Sequence, residues 1–184
     1  MGNHAKKTFL NLGCGYKKFI GEEWVNVDAH DICSPDVVCD LNTFPYPWED
    51  NSVDHIYMSH VLEHIPDWWG SFLECSRILK IGGTIEIRVP DESSSTALTY
   101  RDHHHVFSML SFHGIQEASH GTNAWAKTEE NSVPMILTGY GQVPFKRYNW
   151  MLRFPWLLKF CANHMRNFIH EQVFYFQKVG VKNG

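Results

Sequence analysis

The 184-residue sequence has five cysteines, and no two of them form a C-x-x-C pair. Cys14, Cys33, Cys39, Cys75 and Cys161 are odd in number and irregularly spaced. A zinc ribbon or a thioredoxin-type site therefore has no basis. With no three-cysteine cluster, an iron–sulfur radical route has no ligands either. Reduced thiols in a cytoplasmic compartment are the expectation. No apolar run approaches the ~20 residues of a membrane span. The opening "MGNHAKKTFLNLG" lacks the longer apolar core of a secretion signal. Lys6 stands where an N-myristoylation motif wants Ser or Thr. The net charge of −4 gives no overall basicity that would point to nucleic acid. No internal repeat or low-complexity stretch is visible.

What is present fits one globular domain, residues 1–184. The chain is 43% hydrophobic and 20% charged, and its length lets it hide roughly 70% of its unfolded surface. Aromatic residues are plentiful, with seven Trp and twelve Phe. From Asn131 to His170 there is no Asp or Glu, while Lys146, Arg147, Arg153, Lys159 and Arg166 supply five bases. The same segment carries Trp150, Phe154, Trp156, Phe160 and Phe168. The plain expectation is a helix with a buried aromatic stripe and a solvated basic face. The sharper one is a platform for an anionic substrate or a membrane surface, a contact through residues 146–168.

Five strand-length runs end on turn residues or acids. "TFLNL" (8–12) ends at Gly13-Cys14-Gly15, Trp24 to Val27 at Asp28, and Val37 to Cys39 at Asp40. "VDHIYMS" ends at Ser59, and "TIEIRVP" follows Gly82-Gly83 and ends at Asp91. Between the last two, "DWWGSFLECSRILK" has helical spacing and a stop at Lys80 and Gly82. Alternating strands and helices predict an α/β fold with a parallel sheet. His104 to Gly114 reads as one more helix and residues 116–135 as loop. Residues 172–179, "QVFYFQKV", read as a closing strand.

In an open α/β sheet, ligands bind outside the carboxyl ends of the strands, and the polar residues of interest sit there. Gly13 and Gly15 bracket a tight turn that lets a ligand approach the backbone. Asp28 can accept from both hydroxyls of a ribose, and Asp40 or the Leu41 amide can meet a base edge. A nucleoside laid across the sheet edge follows. A dinucleotide does not, because Asp28 comes thirteen residues after Gly15, short of the ~20 of that motif.

The blocks "LNLGCGYKKFIGEEWVNVD", "DVVCDLNTFPYPWEDNSVDHIYMSHVLEHI" and "ECSRILKIGGTIEIRVPD" resemble class I S-adenosylmethionine-dependent methyltransferases. More closely, they resemble small predicted methyltransferases often encoded among glycan-synthesis genes. The likeness runs over residues 8–110, the cofactor-binding core, and the closing strand also resembles that family's last strand. It implies a Rossmann-like three-layer sandwich around a mostly parallel, seven-stranded sheet. Residues 116–168 match no pattern of the family and are expected to form an irregular C-terminal insertion, on the substrate side or as a lid. The likeness further implies S-adenosylmethionine as cofactor. Asn11 and Gly13-Cys14-Gly15 would then lie under its methionine part, Asp28 at its ribose, Asp40 and Leu41 at its adenine, and Ser59-His60 beside its sulfonium. The third glycine common in the first motif is here Lys17.

"HVLEH", His60 to His64, reads as H-x-x-E-H, a zinc-peptidase pattern. His60 and His64 would share a helix face, but the string follows a strand directly and Pro66 stops any helix within two residues. A post-strand helix start beside a cofactor is the simpler reading, and no metal is expected. In the run His103-His104-His105 neighbours cannot all face one ion. The family places a histidine after the fifth strand, so His103 becomes a candidate base, with His64 and Asp91 as others. The expected function is O- or N-methylation of a small molecule or glycan. A catalytically silent cofactor-binding protein is the first alternative. A zinc hydrolase built on His60, Glu63 and His64 is the second. The "D/N-P-P-Y/F/W" signature of many amino-group DNA methyltransferases is absent, since the chain reads "MSHV" after its fourth strand.

Overall fold

The computed structural model describes residues 7–112 and 133–180. Its strands are β1 (Phe9–Leu12), β2 (Trp24–Asp28), β3 (Val37–Val38), β4 (Val53–Ser59), β5 (Leu79–Pro90), β6 (Met135–Pro144) and β7 (Ile169–Lys178). Its α-helices are α1 (Trp68–Ile78), α2 (Ser95–Thr99) and α3 (Pro155–His164). The seven strands form one sheet in the order β3-β2-β1-β4-β5-β7-β6. Neighbours among β1 to β5 are parallel, while β7 runs antiparallel to both β5 and β6. This is the mostly parallel, seven-stranded Rossmann-like sheet expected.

Alternation along the strands builds the core. Leu10, Leu12, Ile56, Met58, Ile85, Ile87, Phe174 and Phe176 are buried, and the strand register puts them on one face. Helix α1 closes over that face with Phe72, Cys75 and Ile78. Phe72 meets Phe176 edge-on at 5.2 Å. Burial of each such large side chain stabilises by about 1.5–3 kcal/mol. The Asp67 side chain caps α1 by accepting from the Gly70 amide. The alternate positions Tyr57, Glu86 and Arg88 belong to the other face, where Arg88 bridges Glu86 and Glu171.

Several expectations are corrected. The helix expected to run to Lys80 ends at Ile78, and β5 starts at once. Gly82-Gly83 then forms a bulge rather than a separating turn, since the register jumps from Val53↔Leu79 to His55↔Thr84. In the described part of residues 104–114 there is only a 3-10 turn, Met109–Phe112. Phe107 and Phe112 are both buried, and residues five apart do not share an α-helical face. "LEH" is likewise a 3-10 turn, not an α-helix start. Strand β6 was not anticipated, because Gly139 and Gly141 interrupt its alternation and it pairs with β7 alone. Of the loop expected at 116–135, residues 116–132 lie outside the described residues, and at Met135 β6 has already begun.

The buried aromatic stripe is overturned. Trp150, Phe154, Trp156 and Phe160 are 57%, 47%, 71% and 55% exposed, and of the five only Phe168 is buried. A 3-10 segment, Lys146–Arg153, buries Met151 instead, and the amphipathic α3 buries Cys161 with Leu157, Leu158 and Ala162 partly buried beside it. On α3, Trp156, Lys159 and Phe160 are exposed while Cys161 is buried. Their spacing puts the three on the solvent side.

Candidate active site

Strand order reverses between β1 and β4, the place where an open α/β sheet leaves a crevice for ligand. The eleven residues between β1 and β2 contain no helix. Two buried asparagines hold this loop instead. Asn11 donates to the Lys17 carbonyl and to Asn26 Oδ1. Asn26 accepts from the Phe19 amide and donates to its carbonyl. Asn11 therefore acts on the loop's position from within β1.

The glycine turn lies against two neighbours. Gly13 has φ +66°, and a Cβ there would stand 2.1 Å from a methyl of Val61. The Gly15 amide donates to Asp28 Oδ2 at 2.8 Å, and the His30 amide donates to Asp28 Oδ1 at 2.9 Å. Each carboxylate oxygen keeps a further lone pair for a ligand hydroxyl. Cys14 is buried, its amide donating to the Val27 carbonyl, and burial raises its thiol pKa. The turn is thus pinned to the end of β2 at two points.

Asp40 is exposed and accepts from the amide and side chain of Asn42, which hold its carboxyl below the usual range. Leu41 is buried, and its carbonyl accepts from the Tyr46 hydroxyl. Ser59 closes β4, and His60 follows with φ +55°. A non-glycine residue in that region marks a constrained position. His60 Nε2 lies 2.9 Å from Glu171 Oε2 and Nδ1 lies 3.5 Å from Glu63 Oε1. Glu171, then Glu63, push the imidazole up to about 9. Burial works to raise Glu171, but His60 and Arg88 together hold its carboxyl below the ordinary value.

A cleft of about 550 Å³ opens beside Ser59 and His60. Lys17, Arg88, Lys146 and Arg147 line it, with Glu171 the acid among the lining residues. Sequence reading singles out neither Arg88, an alternating residue of the "TIEIRVP" run, nor Glu171, one residue before the expected closing strand; Lys146 and Arg147 belong to the basic run read as an anionic-substrate platform.

The three candidate bases separate. Asp91 is buried, and its oxygens accept from Ser93 and from the Gln142 side chain. His64 and His103 lie together, ring centroids 4.7 Å apart. His104 and His105 are not part of this pair; His105 Nε2 reaches the Pro66 carbonyl. His60 and His64, which a zinc-peptidase string would bring to one ion, do not share a ligand cluster among the described residues.

Over residues 10–87 the sequence matches the methyltransferase-domain family. No curated protein matches it significantly. Among solved structures it is similar to an S-adenosylmethionine-dependent methyltransferase from Archaeoglobus fulgidus, with TM-score 0.63, 16% identity and coverage of 94% of this chain and 86% of that one. A chain from a Haloferax volcanii complex between a methyltransferase and its activator gives TM-score 0.63, 14% identity and coverage of 97% and 85%. Geranyl diphosphate C-methyltransferase from Streptomyces coelicolor, solved with Mg2+, geranyl diphosphate and S-adenosyl-L-homocysteine, gives 0.61, 14%, 94% and 71%. At such identities the structures speak for the fold, and the family match for the domain.

Proposed function

We propose that residues 10–87, which match the methyltransferase-domain family, form a class I methyltransferase domain with S-adenosylmethionine as its cofactor, and that the protein methylates an oxygen or nitrogen of a small-molecule or glycan acceptor. The Gly15–Asp28 hydrogen bond carries this reading, because it couples the glycine turn to the one carboxylate placed for a ribose. Asn11 and Gly13 to Gly15 shape the methionine end, Asp28 takes the ribose hydroxyls, Asp40 and Leu41 flank the adenine, and Ser59 and His60 stand by the sulfonium. The cofactor supplies a methyl group on a positively charged sulfur. The protein orients the acceptor and excludes water. The acceptor enters the cleft beside Ser59, where Lys17 and Arg147 favour an acceptor bearing negative charge. Of the candidate bases, His64 and His103 pair with each other outside the residues that line this cleft, and Asp91 is held back by its own hydrogen bonds.

Calorimetric titration with S-adenosylmethionine and S-adenosylhomocysteine, followed by radiolabelled methyl transfer to hydroxyl and amine acceptors, tests this. Micromolar binding with turnover is expected. Binding with no turnover on any acceptor would favour the catalytically silent alternative, and no binding would refute both.

The basic aromatic segment is read as a contact surface for an anionic bilayer. No helix among the described residues is long and apolar enough to cross a membrane. Trp156 and Phe160 nevertheless project from α3 beside Lys159, with Trp150, Arg153 and Phe154 preceding it. Aromatic rings at headgroup depth and cations toward anionic lipid are the terms of interfacial binding. Each base near such a surface contributes about 1 kcal/mol. Arg153→Glu with Lys159→Glu should therefore lower partitioning onto phosphatidylglycerol vesicles by more than about 30-fold. Absence of sedimentation with those vesicles would refute the assignment. So would a dimer that Trp156→Ala with Phe160→Ala dissolves, since a second copy would then cover the surface.

A further inference from the structure

The H-x-x-E-H string divides in the fold. His60 turns to Glu171, whereas Glu63 and His64 turn to His103. One ligand atom from each of Glu63, His64 and His103 lies within 4.8 Å of the other two. Glu63 is 1% exposed, and neither of its carboxylate oxygens has a hydrogen-bond partner among the described residues. His60 Nδ1 stands 3.5 Å from Oε1, too far for an aligned bond, and its other ring nitrogen is committed to Glu171. A carboxylate taken from water with no aligned hydrogen bond, and only the His60 imidazole 3.5 Å away, is costly.

The two imidazoles are held in a way that frees one nitrogen each. His64 Nδ1 lies 3.1 Å from Asp102 Oδ2 and 3.2 Å from its carbonyl oxygen. His103 Nδ1 lies 3.2 Å from the Ala97 carbonyl. Both Nε2 atoms are without a partner among the described residues. Anchoring one ring nitrogen on a carboxylate or carbonyl fixes the tautomer that presents the other to a metal ion. Nearby, His60, His170 and Glu171 are also close enough to hold an ion. There, however, the carboxylate is already bonded to His60 and Arg88, and the guanidinium opposes a cation.

We propose that Glu63, His64 and His103 form a two-histidine, one-carboxylate site for a divalent first-row transition ion such as zinc. Imidazole and carboxylate suit that class of ion, and three protein ligands leave positions open for a water or an acceptor oxygen. The site does not rest on the methyl-transfer reading, because the ion can be counted with neither cofactor nor acceptor present.

The test is calorimetric titration of the chelator-stripped full chain with Zn2+, with bound metal counted after gel filtration. One ion per chain is expected. His103→Ala and Glu63→Gln should each weaken binding by more than about 100-fold, beyond the range of an outer-shell change, and Asp102→Ala by about 10-fold. His170→Ala should leave it unchanged. Far-ultraviolet circular dichroism checks that each variant is folded, and Glu63→Gln keeps the buried side chain's shape. No bound ion in the wild type would overturn the proposal. So would loss on His170→Ala, or tight binding retained by both His103→Ala and Glu63→Gln, which would point to surface histidines.

Discussion

Asp28→Ala is expected to weaken S-adenosylmethionine binding by on the order of 100-fold, measured calorimetrically against wild type at one salt concentration. Two effects combine. The carboxylate would accept from the ribose hydroxyls, and a hydrogen bond to a charged group contributes about 1.5–3 kcal/mol. It also anchors the Gly15 and His30 amides, so alanine frees the turn that must lie under the cofactor. At 1.4 kcal/mol per factor of ten, loss of one such ligand bond and part of the anchoring reaches two decades. Asp28→Asn separates the effects. Its single carbonyl oxygen can keep one of the two anchors but cannot serve both amides and the ribose. An intermediate loss is expected, and wild-type affinity in Asp28→Ala would remove Asp28 from the site.

The cofactor side of the fold was legible in the sequence because its signals are local. Strand alternation, glycine turns and acids at strand ends each lie within a few residues of one another, as in "LNLGCG" and "VNVD". Asp28 and Gly15 are candidates on such signals, and the structure places them in hydrogen-bond contact. The cleft beside Ser59 depends on pairings that span the chain. Glu171 meets His60 across 111 positions and Arg88 across 83, and no spacing rule reaches that far. His103 joins Glu63 and His64 only because α1 and then β5 carry the chain away and back between them, so the string His60–His64 taken alone names the wrong partner for His64. The aromatic segment misled for another reason: helical spacing finds an apolar stripe but cannot say whether protein or something else covers it.

Among the described glycines, Gly13→Ala should be the most damaging substitution by alanine, while Gly15→Ala, two positions away, should be mild. Both glycines have positive φ, at +66° and +49°, and that conformation costs an alanine about 1–2 kcal/mol. At Gly15 a Cβ meets nothing within 4 Å, so the conformational cost is the whole expected effect. At Gly13 the same atom would lie 2.1, 2.8 and 3.0 Å from Cγ2, Cγ1 and Cβ of Val61. Overpacking of that kind adds about 1–3 kcal/mol, which brings the total to about 2–5 kcal/mol and lowers Tm on the order of 10 °C for a chain of this length. The displaced turn should also lose S-adenosylmethionine binding altogether. Val61→Ala removes both γ carbons and should restore the overpacking part of the loss, leaving the conformational part in place. Thermal melts of the two single variants and the double variant measure that coupling. Strict additivity would mean that Val61 does not press on the turn, and that the intolerance at Gly13 has its cause elsewhere in the loop.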